Sequence, residues 1–270
     1  MAEIILTPKS QPQVPIEADT ITPDAIAGKS IDEIKNIELW FGNKKALLSD
    51  FFDVDGESSE NASEIKIIFD GDVYNTKRIG QGMTTGEIVV KGNASMYAGA
   101  EMKGGKITVE GDAGPWAGRD MEGGELTIMG NAGDYIGSAY RGDWRGMSGG
   151  LLTVYGDVGN EIAEFMLGGK MVIKGNVNIM PGVHMNGGTL IIEGNVKART
   201  GGEMKGGTIV VKGVIGEFLP GFEFLGVEKD VDIEGEVIEG NFFKFKGDLA
   251  TKGAGGIIYA ATAGNGHIAP

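Results

Sequence analysis

A glycine closes a short alternating apolar run at Gly92, Gly111, Gly130, Gly156, Gly175, Gly194 and Gly213, so the chain repeats every 19 residues with a single step of 26. A fixed period of this length leaves few folds open. Nineteen residues are too few for a pair of helices, and the runs lack the leucine-rich signature. They match one turn of a coil made of short strands and tight corners, which buries its apolar face only by stacking on its neighbours. Degenerate copies ending at Gly71 and Gly235 place the repeat region at residues 64–247.

Each unit opens with a half-buried strand. In Gly105-Lys106-Ile107-Thr108-Val109-Glu110-Gly111 the alternation sends Ile107 and Val109 to one face and the polar residues to the other. The inward pairs Ile88/Val90, Ile107/Val109, Leu126/Ile128, Leu152/Val154, Met171/Ile173, Leu190/Ile192 and Ile209/Val211 contain no polar residue. Asn93, Asp112, Asn131, Asp157, Asn176 and Asn195 follow the closing glycines, and their type predicts a left-handed turn. A methionine column, Met83, Met102, Met121, Met147, Met166, Met185 and Met204, predicts an interior stack of adaptable side chains.

Stacking in register sets equivalent residues about 4.8 Å apart, where like charges repel and opposite charges attract. The outward columns Glu87, Lys106, Glu125 and Lys174, Glu193, Lys212, Glu234 alternate in sign accordingly, as do Lys91 and Glu110. Parallel strands joined by crossovers are right-handed in nearly all proteins. The expected fold is therefore all-β: a right-handed single-stranded parallel β-helix of 19-residue glycine-rich repeats over 64–247, with a small α+β N-terminal cap over 1–63. Ser30-Ile31-Asp32-Glu33-Ile34 predicts a capped helix start in that segment. The Ala/Gly-rich residues 248–270 read as a tail that frays or an arm that lies on a partner.

Composition excludes several functions. The 48 glycines show no three-residue period and only 8 prolines accompany them, which rules out collagen. A net charge of −14 disfavours nucleic acid and anionic membrane surfaces, which both require a cationic patch. There is no cysteine to ligate an Fe–S cluster or form a disulfide, no signal-peptide pattern and no membrane-length apolar stretch. The cytoplasm is the expected compartment.

Catalytic groups are scarce. His184 and His267 are the only histidines, too few for a three-histidine zinc site. The glycine-rich stretches lead into strands, whereas a dinucleotide fingerprint leads into a helix. Gly28-Lys29-Ser30 has no preceding apolar strand and reads as a helix entry. Asp120/Glu122 and Glu161/Glu164 read as solvated surface charge, in preference to an acid–base pair. No catalytic, cofactor or metal residue is expected on this chain.

Apolar surface is the remaining signal. The outward middle column changes from Thr108, Thr127 and Thr153 to Val172, Ile191 and Val210, which make a contiguous patch. Tyr97, Trp116 and Tyr135 form a second column, followed by the insertion with Tyr140, Arg141 and Trp144. Two readings remain: these residues face a partner protein, or they turn inward or lie beneath the chain's own N-terminal segment.

The corners Gly111/Gly114/Gly118 and Gly130/Gly133/Gly137, and the unit Gly99 to Gly111, resemble the glutamate-synthase C-terminal β-helix family. With Leu39-Trp40-Phe41-Gly42-Asn43 and Phe51-Phe52-Asp53-Val54-Asp55-Gly56 added, the resemblance covers nearly the whole chain and narrows to the C subunits of formylmethanofuran dehydrogenases. Ala163 and Trp144 depart from the glycine pattern at two corners. The resemblance implies a non-catalytic scaffold in a complex that reduces CO2 and forms N-formylmethanofuran. Its partners would be a subunit with a tungsten or molybdenum pterin, an amidohydrolase-like subunit with a binuclear metal site, and subunits with 4Fe-4S clusters. The alternatives are the equivalent subunit of a methylotroph formyltransferase/hydrolase complex and a carbohydrate-active β-helix enzyme.

Overall fold

The computed structural model describes residues 1–270, which are mostly β with a few short helices. Its dominant feature is a 13-stranded sheet. The strands Ile65–Phe69, Glu87–Val90, Lys106–Val109, Glu125–Ile128, Leu151–Val154, Lys170–Ile173, Asn186–Ile192 and Gly206–Val211 pair in parallel in sequence order. Register follows the repeat: Ile88 lies against Ile107, Ile107 against Leu126, Leu126 against Leu152, and Leu152 against Met171. The inward pairs are fully buried, as the alternation requires.

A second ladder runs through every unit. Val73, Ala94, Ala113, Ala132, Val158 and Val177 form successive parallel bridges, and Val177–Ile179, Val196–Ala198 and Ile215–Glu217 continue them as a three-stranded sheet. Between the two ladders lies the methionine column, whose members are all buried. Methionine suits this position because its unbranched side chain passes beneath the next unit's glycine: the Met83 methyl would be 2.7 Å from a Cβ placed on Gly105.

The residues after the closing glycines do not adopt the left-handed backbone expected of them; none has a positive φ. Their side chains form a hydrogen-bonded ladder instead. Asp112 N donates to Asn93 Oδ1 (2.7 Å), Asn131 N to Asp112 Oδ1 (2.7 Å), Asp157 N to Asn131 Oδ1 (2.9 Å) and Asn176 N to Asp157 Oδ1 (2.7 Å). The closing glycines make this contact possible. A Cβ on Gly111 would lie 2.6 Å from Asn93 Oδ1 and 2.7 Å from the Gly92 carbonyl carbon.

Both ends of the sheet are antiparallel. Ala2–Pro8 pairs in parallel with Ile65–Phe69 and antiparallel with Phe52–Gly56. The predicted helix start is present over Ile31–Lys35: Glu33 N donates to Ser30 Oγ and Ser30 N to a Glu33 carboxylate oxygen (2.8 Å). At the other end two expectations are corrected. The segment ending at Gly235 is no repeat strand, and Glu234 does not stack on Lys212. Glu223–Ile233 and Glu236–Gly247 instead form an antiparallel hairpin. The strand that continues the stack is Gly256–Ala261, from the segment expected to be a tail. It places Ile258 against Ile209 and hydrogen-bonds Glu236–Gly247 on its other edge. Burial decides this choice, since Ile258 and Ala260 extend the inward column whereas Glu234 and Gly235 are exposed. Asn265 closes the end, accepting from Ile215 N (2.8 Å) and donating to the carbonyls of Gly213 (2.9 Å) and Ala261 (2.8 Å).

Candidate functional site

Side chains reach one surface through a set of left-handed residues that recurs in every unit. Arg78, Tyr97, Trp116, Tyr135, Glu161, Met180 and Arg199 have φ between 53° and 67°. Non-glycine residues seldom occupy this region, so a whole column of them shows that the stacked corners impose it. The result is a π-stack on one edge: Tyr97 and Trp116 lie 5.7 Å apart at 20°, and Trp116 and Tyr135 lie 4.7 Å apart at 11°. The Arg78 guanidinium sits 5.1 Å from the Tyr97 ring centre.

Four residues further on, a second left-handed column contains Glu101, Asp120, Phe165, His184 and Glu203. Phe165 and His184 stack at 4.6 Å and 13°. The sequence reading missed this pair, although the 19-residue step from 165 to 184 signalled it.

The insertion joins the two stacks. Tyr140 packs on Tyr97 (6.5 Å) and Trp116 (6.0 Å), whereas Trp144 meets Phe165 edge-on at 5.8 Å. Trp144 is not a substituted corner. Gly137 makes that turn, and Trp144 lies in the inserted loop with 73% of its surface exposed. Beside Trp144 opens a recess of about 380 Å³ lined by Phe165, Leu167, His184, Asn186, Glu203 and Lys205.

Charge is organised around Arg119, which lies 5.7 Å from the Tyr97 ring centre and 5.4 Å from that of Tyr140. Arg119 pairs with Glu101 and, at 3.0 Å, with Asp120. Burial pushes the Asp120 carboxyl up to about 6; Arg119 opposes this, and the charges of Asp143 and Glu101 add to it. Burial, with the charge of Glu161, also raises Glu164. Arg78, Arg119 and Arg199 each pair with a carboxylate, but no carboxylate lies within 4.0 Å of Arg141 or Arg145, both exposed.

The proposed Val172/Ile191/Val210 patch is corrected. Ile191 and Val210 are buried beneath the chain's own C-terminal hairpin, in a cluster with Val231, Ile233, Ile238, Phe242 and Tyr259. Neither a partner nor the N-terminal segment covers them. Val172, one rung earlier, is half-buried and outside this cluster.

The histidines are separated. His267 Nε2 lies 2.8 Å from the Ile215 carbonyl, and His184 Nδ1 lies 3.7 Å from Glu203. No group of three or more His, Cys, Asp or Glu side chains is arranged to hold a metal ion. No helix is long and apolar enough to cross a membrane.

No family model matches the chain. Individual relatives do. The C subunit of tungsten-containing formylmethanofuran dehydrogenase 2 from Methanothermobacter thermautotrophicus is 73% identical over 270 residues, spanning 100% of both chains. Its namesake from Methanococcus maripaludis is 57% identical over 99% of this chain and 100% of its own. Among solved structures, a chain of the formyltransferase/hydrolase complex from Methylorubrum extorquens in complex with methylofuran superposes with a TM-score of 0.85 at 25% identity, covering 96% of this chain and 99% of its own. Full-length identity at this level makes the chain a member of the family of C subunits of formylmethanofuran dehydrogenase, an oxidoreductase complex.

Proposed function

We propose that the chain is a non-catalytic scaffold in a tungsten-containing formylmethanofuran dehydrogenase that reduces CO2 and forms N-formylmethanofuran. The filled interior carries this reading. Inward positions are aliphatic or methionine and fully buried from Ile88 to Ile258, so the interior of the stack has no room for a substrate and the recesses, such as the one beside Trp144, lie on its surface. The donor set fits neither a 4Fe-4S cluster nor a binuclear metal site, since the chain has no cysteine and its His and carboxylate side chains form no metal-holding group. In this reading the tungsten pterin, the binuclear metal site and the 4Fe-4S clusters belong to other subunits. The tungsten form is favoured by the full-length matches. The C subunit of molybdenum-containing formylmethanofuran dehydrogenase 1 from Methanothermobacter marburgensis is 56% identical over only 53% of this chain.

We further infer that the repeats wind as a right-handed single-stranded parallel β-helix, with residues 1–63 as a cap on its first turn. Support comes from the two ladders and the left-handed columns, which advance together by one repeat. The face that carries Tyr97, Trp116, Tyr135, Tyr140, Arg141 and Trp144 is the proposed partner surface.

Purification of the complex through a tag on this chain, with native mass spectrometry and metal analysis, tests the scaffold reading. Tungsten and the iron–sulfur subunits should accompany the chain, and the isolated chain should not oxidise formylmethanofuran. Turnover by the isolated chain, or its purification free of other subunits, would overturn the proposal.

A further inference from the structure

The insertion is unnecessary for the ladder it interrupts. Ala139 N donates to the Glu164 carbonyl (3.2 Å) and Gly146 N to the Phe165 carbonyl (3.0 Å), so both ends are pinned to adjacent positions of the next unit. The intervening residues Tyr140, Arg141, Gly142, Asp143, Trp144 and Arg145 project from those pins. We propose that this loop is a preformed tryptophan–arginine anchor that docks a carboxylate-bearing surface of another subunit, a deepening that rests on the scaffold reading.

The loop's composition sets the partner's chemistry. On a chain of net charge −14, the two arginines without a carboxylate partner both fall here, against one aspartate. The recess itself is lined by one cation and one anion, Lys205 and Glu203, so the loop's two arginines supply the excess positive charge. An exposed guanidinium pair recognises carboxylates bidentately, and tryptophan and arginine dominate the energetic centres of interfaces. The recess above the Phe165–His184 stack, about 380 Å³, admits an apolar side chain of the partner between Trp144 and Lys205.

The loop is ordered before it binds. Asp143 N donates to the Tyr140 carbonyl (2.9 Å), Trp144 N donates to Asp143 Oδ1 (2.7 Å), and Tyr140 and Trp144 pack on separate aromatic stacks. A preorganised anchor loses little conformational freedom on docking, which favours its use at an interface.

Complexes assembled with Trp144→Ala, or with Arg141→Glu and Arg145→Glu together, test the anchor. Dissociation of this chain is followed by native mass spectrometry across a salt series, and circular dichroism confirms that each variant folds. Trp144→Ala should loosen the chain from its neighbours at least about tenfold. The charge reversal should loosen it too and remove most of the salt dependence. Unchanged dissociation and salt dependence, with the chain still in the complex, would overturn the anchor and leave the scaffold reading standing. Absence of the wild-type chain from the complex would remove both. A dimer of the isolated chain that Trp144→Ala dissolves would assign the loop to a second copy and overturn the assignment to another subunit.

Discussion

The indole of Trp116 lies almost parallel to the Tyr135 ring, 4.7 Å between centroids and 11° between planes, although each residue belongs to a different repeat. Both hold left-handed backbone, so the contact follows from two corners in identical conformation placed one rung apart. A double-mutant cycle with Trp116→Ala and Tyr135→Ala should give a coupling of about 0.5–1.5 kcal/mol in urea unfolding. Additive effects would show that the stack contributes nothing beyond its buried area.

The closing glycines should tolerate no methyl group. Gly111→Ala brings a Cβ to 2.6 Å from Asn93 Oδ1 and 2.7 Å from backbone, contacts that the paired repeats have no room to relax. A loss of about 2–3 kcal/mol is expected in denaturant unfolding. Gly266→Ala meets nothing within 4 Å and should change stability by less than about 0.5 kcal/mol.

The Asn/Asp ladder requires an acceptor oxygen at each rung and no particular charge. Asp112→Asn keeps Oδ1 for the Asn131 backbone N–H and should be close to neutral. Asp112→Ala orphans that donor and should cost about 1 kcal/mol. Equal losses in the two variants would mean that the charge of Asp112 matters more than its hydrogen bond.

Asp120 predicts a pH dependence of defined sign. Its carboxyl is raised from 3.8 to about 6, so between those values the folded chain binds more protons than the unfolded one. The contribution of Asp120 to stability is therefore greatest below 3.8 and falls as pH rises, the fall being complete above about 6. The stability of the wild type minus that of Asp120→Asn should decrease from pH 4 to pH 7. A flat or rising difference would place Asp120 in a better solvated, more fully paired setting than its burial beside Arg119 provides.

Much of this architecture was legible because periodicity is a one-dimensional property. The 19-residue step, the alternation of Ile107 and Val109 with Lys106 and Thr108, and the sign reversal from Lys174 to Glu193 to Lys212 all anticipate contacts between neighbouring rungs. Lys174 and Lys212 do reach Glu193, at 2.9 and 3.3 Å. Burial is the largest influence on Glu193 and would raise its pKa, but hydrogen bonds and charge from the two lysines together hold it below the usual carboxylate value.

What the sequence determined by itself is the repeat: its period, its inward residues, its methionine column and the capped helix at Ser30. Tertiary structure decided whatever depends on which distant segment packs against a given rung. Ile191 and Val210 present an outward apolar column in sequence, yet the hairpin from 223 to 247 folds back over them. Gly256–Ala261 takes the next place in the sheet because Ile258 and Ala260 fill its interior. The choice between left-handed turns and a side-chain ladder at Asn93 and Asp112 was likewise settled in three dimensions. A repeat brings equivalent atoms within hydrogen-bonding distance only when its neighbours are stacked, and no local propensity records that proximity.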